Sequence, residues 1–284
     1  MTEEKSQALD IILYFANLGN IKYSEAMAKA ISDIDTEESW TLREEMALRN
    51  ISIDALARGL AGIDSERSER QRLFYQENRA SKGSILRSLA GINTEQAIVY
   101  RLKCLADSEG LDGLGKSLCG LDIEEAWQIR ISLLKQDMDI HGLLISLAGI
   151  ESEEAYLIRE SQVSSNVDLN GVALSLSGLF STRAMNMRNS LLERGTSKEY
   201  IAHSLIYDNS EFAWSLRKKL MKKGCDPNWI ALSLSGLLDN KAIEFRKKLL
   251  ALGADYEHII QGIYGDYLSV GVRRMLAQKQ NESA

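Results

Sequence analysis

Apolar and small residues recur along this chain with a period of 29 residues. Counted from a recurrent glycine as position 1, position 24 is always aliphatic, and position 28 is leucine seven times and isoleucine once. Two apolar positions four residues apart lie on the same face of an α-helix. The pattern therefore predicts a short helix over positions 21–29 of each unit, with one buried stripe.

Capping signals predict a second, longer helix in each unit. Position 4 is usually serine, threonine or aspartate, whose side chains accept hydrogen bonds from the first free N–H groups of a helix. Position 5 is glutamate in six of eight units, which suits the positive end of the helix dipole. Glycines such as Gly195 and Gly224 are typical of helix ends. We expect a long helix over positions 5–17.

The glycine register defines the repeat boundaries. The glycines are Gly62, Gly91, Gly120, Gly149, Gly178, Gly236 and Gly265, with Asp33 and Tyr207 in the same register. This periodicity, with one proline in 284 residues, predicts an all-α fold: a right-handed α-solenoid of about nine two-helix repeats, capped at both ends. We expect one continuous domain over residues 1–284, comprising a capping unit at 1–32, eight repeats over 33–264, and a capping helix with its tail at 265–284.

An arginine stands ten residues after the glycine position in eight successive units. This arginine ladder comprises Arg43, Arg72, Arg101, Arg130, Arg159, Arg188, Arg217 and Arg246. It falls on a mostly apolar helix face, so one interpretation is structural: each guanidinium donates to carbonyl ends of a neighbouring short helix or to the position-27 serine. The other interpretation is functional: the arginines form a row of cations that binds phosphates or carboxylates. We favour the structural role because the ladder does not vary.

Small residues at position 27, and often at position 25, let short helices approach one another more closely than the long ones. At about 8–10 Å per repeat, the stack is predicted to be an arc of somewhat under about 100 Å, with the short helices on its concave face. A groove there would be lined by variable positions 22, 23 and 26. The predicted groove residues are Arg58, Arg87, Lys116, Ile145, Leu174, His203, Leu232, Tyr200 and Trp229.

The two-helix unit resembles the α-solenoid class, most generally HEAT or armadillo arrays. A segment such as DPNWIALSLSGLLDNKAIEFRKKLL is also similar in rhythm to the DNA-reading repeats of TAL effectors. In that family the inter-helix loop reads bases and a Gly-Lys meets phosphate. Here the loop reads GID, GIN, GLD or GIE, and acidic pairs such as Glu124-Glu125 follow it. These carboxylates would repel a phosphate backbone, so the resemblance does not extend to DNA reading.

Charge is distributed unevenly along the chain, whose net charge is −6. Residues 1–182 hold 18 basic and 29 acidic side chains, whereas residues 183–279 hold 16 basic and 10 acidic ones. A C-terminal lysine cluster is therefore an alternative site for nucleic acid, or simply a solvated outer helix face. It comprises Lys218, Lys219, Lys222, Lys223, Lys247 and Lys248.

Other function classes find little support in the sequence. There is no signal-peptide pattern and no apolar run long enough for a membrane span, so we expect a cytoplasmic protein with no membrane partner. Three unclustered cysteines and three dispersed histidines match no metal, cofactor or catalytic motif. We expect a non-enzymatic scaffold without cofactors, whose protein or peptide partner has acidic and apolar portions. Nucleic-acid binding is the alternative.

Overall fold

Long and short helices alternate throughout the chain. The computed structural model describes residues 2–282, which contain α-helices and no β-strand. The long helices are α1 (Thr2–Gly19), α3 (Glu37–Leu48), α5 (Glu66–Glu77), α7 (Glu95–Ala106), α9 (Glu124–Lys135), α11 (Glu153–Ser165), α13 (Thr182–Glu193), α15 (Glu211–Lys222), α17 (Asn240–Ala251) and α19 (Tyr267–Glu282). The short helices are α2 (Glu25–Ala30), α4 (Ile53–Arg58), α6 (Lys82–Arg87), α8 (Leu111–Ser117), α10 (Ile140–Ser146), α12 (Leu169–Ser175), α14 (Lys198–His203), α16 (Pro227–Leu232) and α18 (Tyr256–Tyr264). The all-α prediction is confirmed.

The long helices begin at the position-4 residues. Thr36 and Ser65 each form a capping box with the serine three residues later, and Asp239 accepts a hydrogen bond from Ala242 N. Most short helices have only six or seven residues. Helices of that length are not stable alone in water, so their stability comes from packing on one another.

Adjacent short helices pack almost backbone to backbone. A Cβ built on Gly115 of α8 would lie 2.4 Å from the carbonyl carbon of Gly142 in α10, closer than real side-chain contacts allow. Loop hydrogen bonds also connect successive units, for example from Gly62 N to the Ala90 carbonyl at 3.0 Å. Glycine at these positions therefore sets the spacing between units.

The series of short helices closes on itself. Each short helix packs against the next, and α18 packs against both α2 and α1. The short helices thus form an inner ring, and helices α3 to α17 of the long set lie outside it. The predicted open arc is wrong in this respect: continued close approach of the short helices brings the two ends of the series together.

Helix α19 lies inside the ring rather than capping one end of the series. Loop glycines from several units contact it: Gly62 lies against Val270, Gly120 against Gly271, and Gly178 against Val272. Its residues Leu268, Val270 and Val272 are fully or almost fully buried. The prediction of a C-terminal capping helix is corrected accordingly, since an apolar helix in the centre replaces the open groove.

Candidate functional site

The ring has two open ends, which we call mouths. The side chains at position 26 of the short helices surround the mouth where α19 begins. We call this the basic mouth. Lys29, Arg58, Arg87 and Lys116 line one cavity of about 250 Å³ there, together with Gln261, Asp266 and Tyr267. Four consecutive units place their cations side by side because position 26 keeps the same orientation in each short helix.

The cations of the basic mouth have few acidic partners. Arg87 donates to the carboxylate and the carbonyl of Asp112, and Lys116 Nζ donates to the same carbonyl at 3.2 Å. The closest approach of Arg58 to a carboxylate is 3.9 Å, between its Nη2 and Glu25 Oε2. Within residues 2–282, the buried Nε of Arg58 has no hydrogen-bond partner. The mouth therefore holds unused donors.

Burial, together with the charge of Arg87, lowers the pKa of Lys116. Both effects disfavour a cation, because the site removes water from the ammonium and places a like charge beside it. An anion bound in the cavity would reverse the second effect. These two effects outweigh the opposing influence of the nearby Asp139 and Asp112 carboxylates.

Asp266 is the acidic side chain among the residues that line this cavity. Its Oδ1 accepts from Leu268 N at 3.0 Å, and its carbonyl accepts from Val270 N at 2.9 Å. Two oxygen atoms of Asp266 therefore already accept hydrogen bonds at the start of α19. That helix has 16 residues, and its positive dipole end faces the same mouth.

An aromatic cluster borders the basic cavity. The rings of Tyr200 and Trp229 lie 5.1 Å apart, and those of Trp229 and His203 lie 5.7 Å apart. A small neighbouring cavity is lined by His203 and Leu232 and shares Gln261 and Asp266 with the basic cavity. The basic mouth thus has cationic side chains along one part of its rim and aromatic side chains next to them.

Two of the predicted groove residues are not available to a ligand. Ile145 is 1% exposed and Leu174 is 5% exposed, and both belong to the apolar cluster formed with Leu268, Val270 and Val272 of α19. Their place in the groove prediction is corrected: the chain's own helix covers them. The other predicted groove residues are partly exposed at the mouth or its border, namely Arg58, Arg87, Lys116, His203, Leu232, Tyr200 and Trp229.

The arginine ladder lies between the ring of short helices and the outer helices. Every ladder arginine is buried and uses its Nη2 to donate to one carbonyl 12 residues earlier and to another 16 residues later. Six of them also donate through Nε to the hydroxyl of the position-27 serine. These carbonyls belong to the C-terminal ends of two successive short helices, where partial negative charge accumulates. The guanidinium groups therefore join neighbouring units in the protein interior.

Burial lowers the pKa of Arg130 to about 10. The guanidinium nevertheless stays protonated at neutral pH, because this value remains well above 7. Its Nη2 atom donates to Leu121 O at 2.8 Å, and its Nε atom to Ser146 Oγ at 2.9 Å. Oriented dipoles thus offset much of the cost of burying this cation, although its buried Nη1 atom has no hydrogen-bond partner within residues 2–282.

The C-terminal lysine cluster lies on the outer face of α15 and α17 and the loop that follows α15. Its members are all exposed: Lys218, Lys219, Lys222, Lys223, Lys247 and Lys248. Lys247 pairs with Glu244 at 2.8 Å. The cluster is separate from the basic mouth, since the mouth is formed by inner helices.

Sequence reasoning missed Lys29, Asp266 and Tyr267. Lys29 stands 29 residues before Arg58, so the repeat register contained the signal, although the degenerate pattern of residues 1–32 predicts a cap. Asp266 and Tyr267 carried no such signal, because their place depends on α19 entering the ring.

Comparison of the chain with protein-family models, curated proteins and solved structures finds no match. None of the helices between Thr2 and Glu282 combines the length and hydropathy needed to cross a bilayer. Residues 2–282 contain no group of three or more His, Cys, Asp or Glu side chains arranged to hold a metal ion.

Proposed function

We propose that this protein is a non-enzymatic binding module that holds an acidic segment of a protein partner at the basic mouth. We also infer that its architecture is a right-handed stack of about nine two-helix repeats, of the general HEAT and armadillo type. The observation that carries the functional proposal is the convergence of Lys29, Arg58, Arg87 and Lys116 on one cavity of about 250 Å³. A protein gains little stability from four cations held together with few acids, whereas an anionic ligand gains from them.

The shape of the site limits the kind of segment that fits. The centre of the ring is occupied by α19, so an extended chain has no path through it. A cavity of about 250 Å³ holds a few side-chain carboxylates, not a folded domain. The ligand is therefore an exposed loop or chain end with clustered Asp or Glu residues.

The aromatic cluster adds an apolar requirement. Tyr200, His203 and Trp229 are each partly exposed beside the basic cavity. Aromatic side chains are frequent anchors in protein interfaces because they bury a large area at low entropic cost. The preferred segment thus carries an apolar or aromatic residue next to its acidic ones.

The test is selection from a display library of random dodecapeptides, with three forms of the protein. The mouth variant carries Arg58→Gln, Arg87→Gln and Lys116→Gln, placing at those positions the residue found at position 26 of the last unit, Gln261. The control variant carries Lys218→Gln, Lys219→Gln and Lys222→Gln, which remove the same charge from the outer face. Thermal unfolding verifies that all three proteins are folded.

Wild-type and control proteins are expected to enrich acidic peptides that contain an apolar residue, and the mouth variant is expected not to. The removal of each charge-assisted hydrogen bond costs at least about 1.5 kcal/mol, so the affinity of the mouth variant for an enriched peptide falls on the order of 1,000-fold. If the wild type enriches no acidic peptides, or if both variants lose binding equally, the proposal is wrong.

Nucleic-acid binding at the C-terminal lysine cluster is the second candidate. Its supporting observation is that six lysines are exposed on one outer region. Each phosphate neutralised would release counterions, so affinity for a DNA or RNA oligonucleotide would fall steeply with salt. The same two triple variants separate the sites: loss of oligonucleotide binding in the outer-face variant alone would favour this candidate.

A further inference from the structure

A second, larger cavity lies at the opposite mouth of the ring, where α19 ends. Its volume is about 480 Å³, and it is bounded by the start of α1, by loops of the ring and by the C-terminal half of α19. Polar groups come from Lys5, Asp33, Arg273 and Arg274, and apolar groups from Ile123 and Leu276. This second cavity shares no lining residue with the basic mouth.

Three cations in the second cavity share one buried carboxylate. Asp33 Oδ1 lies 3.1 Å from Lys5 Nζ and 3.1 Å from Arg274 Nη2, while Arg273 Nε donates to Asp33 Oδ2 at 3.0 Å. The Asp33 side chain is 5% exposed. Glu4 is the other acid among the residues that line the cavity, so its lining carries an excess of positive charge.

Arg273 is held rigidly without receiving a second negative charge. Its guanidinium stacks on the Tyr264 ring, 3.6 Å from the centroid, and donates to the Tyr264 carbonyl at 3.0 Å and to the Tyr207 hydroxyl oxygen. Burial raises the pKa of Tyr207 to about 12 and raises that of Tyr264 as well. Both phenols are neutral at physiological pH, so neither balances the arginine.

Two donor atoms of the cation cluster have no hydrogen-bond acceptor. Within residues 2–282, Arg273 Nη2 and Arg274 Nε are buried without a partner. Arg274 Nη2 donates to Asp33 and to the Gly62 carbonyl. Buried donors on charged groups are normally paired, and an unpaired one disfavours the state that contains it. An additional oxyanion would supply the missing negative charge and acceptors.

We propose that the second cavity binds a small organic anion, whose phosphate or carboxylate group meets Lys5, Arg273 and Arg274. The neutral part of the ligand contacts Leu121, Ile123 and Leu276, which line the same space. Cavities of roughly 300–1,000 Å³ suit small-molecule ligands, and this one falls in that range. The site is independent of the acidic-segment site at the basic mouth.

The test compares charged probes with their neutral counterparts by isothermal titration and thermal shift. The probes are glucose 6-phosphate with glucose, adenosine 5′-monophosphate with adenosine, and citrate as a carboxylate without phosphate. At least one anion is expected to bind with a dissociation constant below about 1 mM and to raise the unfolding temperature. The neutral counterparts are expected not to bind. Comparing phosphate and carboxylate probes identifies the anionic group.

Two test variants and one control variant locate the binding. Ala277→Phe fills space in the second cavity without removing a cation, and Ala47→Phe adds the same side chain on the exposed face of α3. Lys5→Gln removes one cation whose side chain is 19% exposed. Ala277→Phe and Lys5→Gln are each expected to weaken anion binding at least tenfold, with Ala47→Phe unchanged.

The proposal is overturned if none of the three anions binds, or if both Ala277→Phe and Lys5→Gln bind as tightly as the wild type. The mouth variant, which carries Arg58→Gln, Arg87→Gln and Lys116→Gln, is expected to keep its affinity for the small anion. A result in which that variant alone loses small-anion binding would place the anion at the basic mouth instead. Failure of peptide selection at the basic mouth leaves this measurement unaffected.

Discussion

Gly271 packs directly against the loop that contains Cys119 and Gly120, so a substitution there tests the central position of α19. A Cβ built on Gly271 would lie 2.6 Å from Cys119 Cβ and 2.9 Å from both the Cys119 carbonyl carbon and Gly120 N. These atoms belong to the backbone or are bonded to it, so they cannot rotate away. Gly271→Leu therefore forces a shift of the helix or the loop.

The expected cost combines two opposing effects. Overpacking a buried site costs about 1–3 kcal/mol. We expect a cost near ~3 kcal/mol for Gly271→Leu, because the new side chain clashes with backbone atoms. Leucine gains about 0.8 kcal/mol over glycine in helix propensity. The net loss of unfolding free energy is therefore about 2 kcal/mol, which corresponds to a fall of about 3–4 °C in Tm for a chain of 284 residues.

The measurement is thermal unfolding by circular dichroism, combined with amide hydrogen exchange of α19. Gln278→Leu is the matched control, since residue 278 is exposed on the same helix. Gly271→Leu is expected to lower Tm and to accelerate exchange in α19, whereas Gln278→Leu leaves both near the wild-type values. A Gly271→Leu protein with unchanged or higher Tm would refute the close packing of α19 against the ring.

Two further predictions concern buried charge. Arg130→Leu removes the guanidinium that donates to the carbonyls of Leu118, Leu121 and Ser146, so the unfolding free energy is expected to fall by about 3 kcal/mol. Gln128→Leu, on the exposed side of α9, is the control and is expected to stay near wild type in denaturant unfolding. An Arg130→Leu protein as stable as the control would contradict the structural role. Burial lowers the pKa of His203 below its ordinary value near 6.5. At pH values between the two, the unfolded chain binds a proton at this histidine and the folded chain does not. The stability of the folded protein therefore falls as the pH decreases through this range. His203→Gln is expected to lose less Tm than the wild type between pH 7 and pH 5, and equal losses would count against this explanation.

Several features of the fold could be predicted because they depend on local pattern. Caps such as Thr36 and Ser65, and the apolar positions such as Leu143 and Ile230, define helices through interactions within a few residues of each other. The repeat register also placed the predicted mouth cations in equivalent positions, so their proximity followed once the short helices were side by side. The fourth cation, Lys29, escaped prediction only because its unit has the degenerate pattern of a cap.

The sequence by itself determined the helices, their period and which residues occupy equivalent positions, since these follow from helix geometry and capping chemistry repeated every 29 residues. Only the tertiary structure decided that the series closes, that α19 fills its centre and that Ile145 and Leu174 are covered. Small rotations between units accumulate over the whole array, and no local pattern specifies their sum. The cavities at the two mouths depend on that sum, because each is formed by residues from opposite ends of the chain.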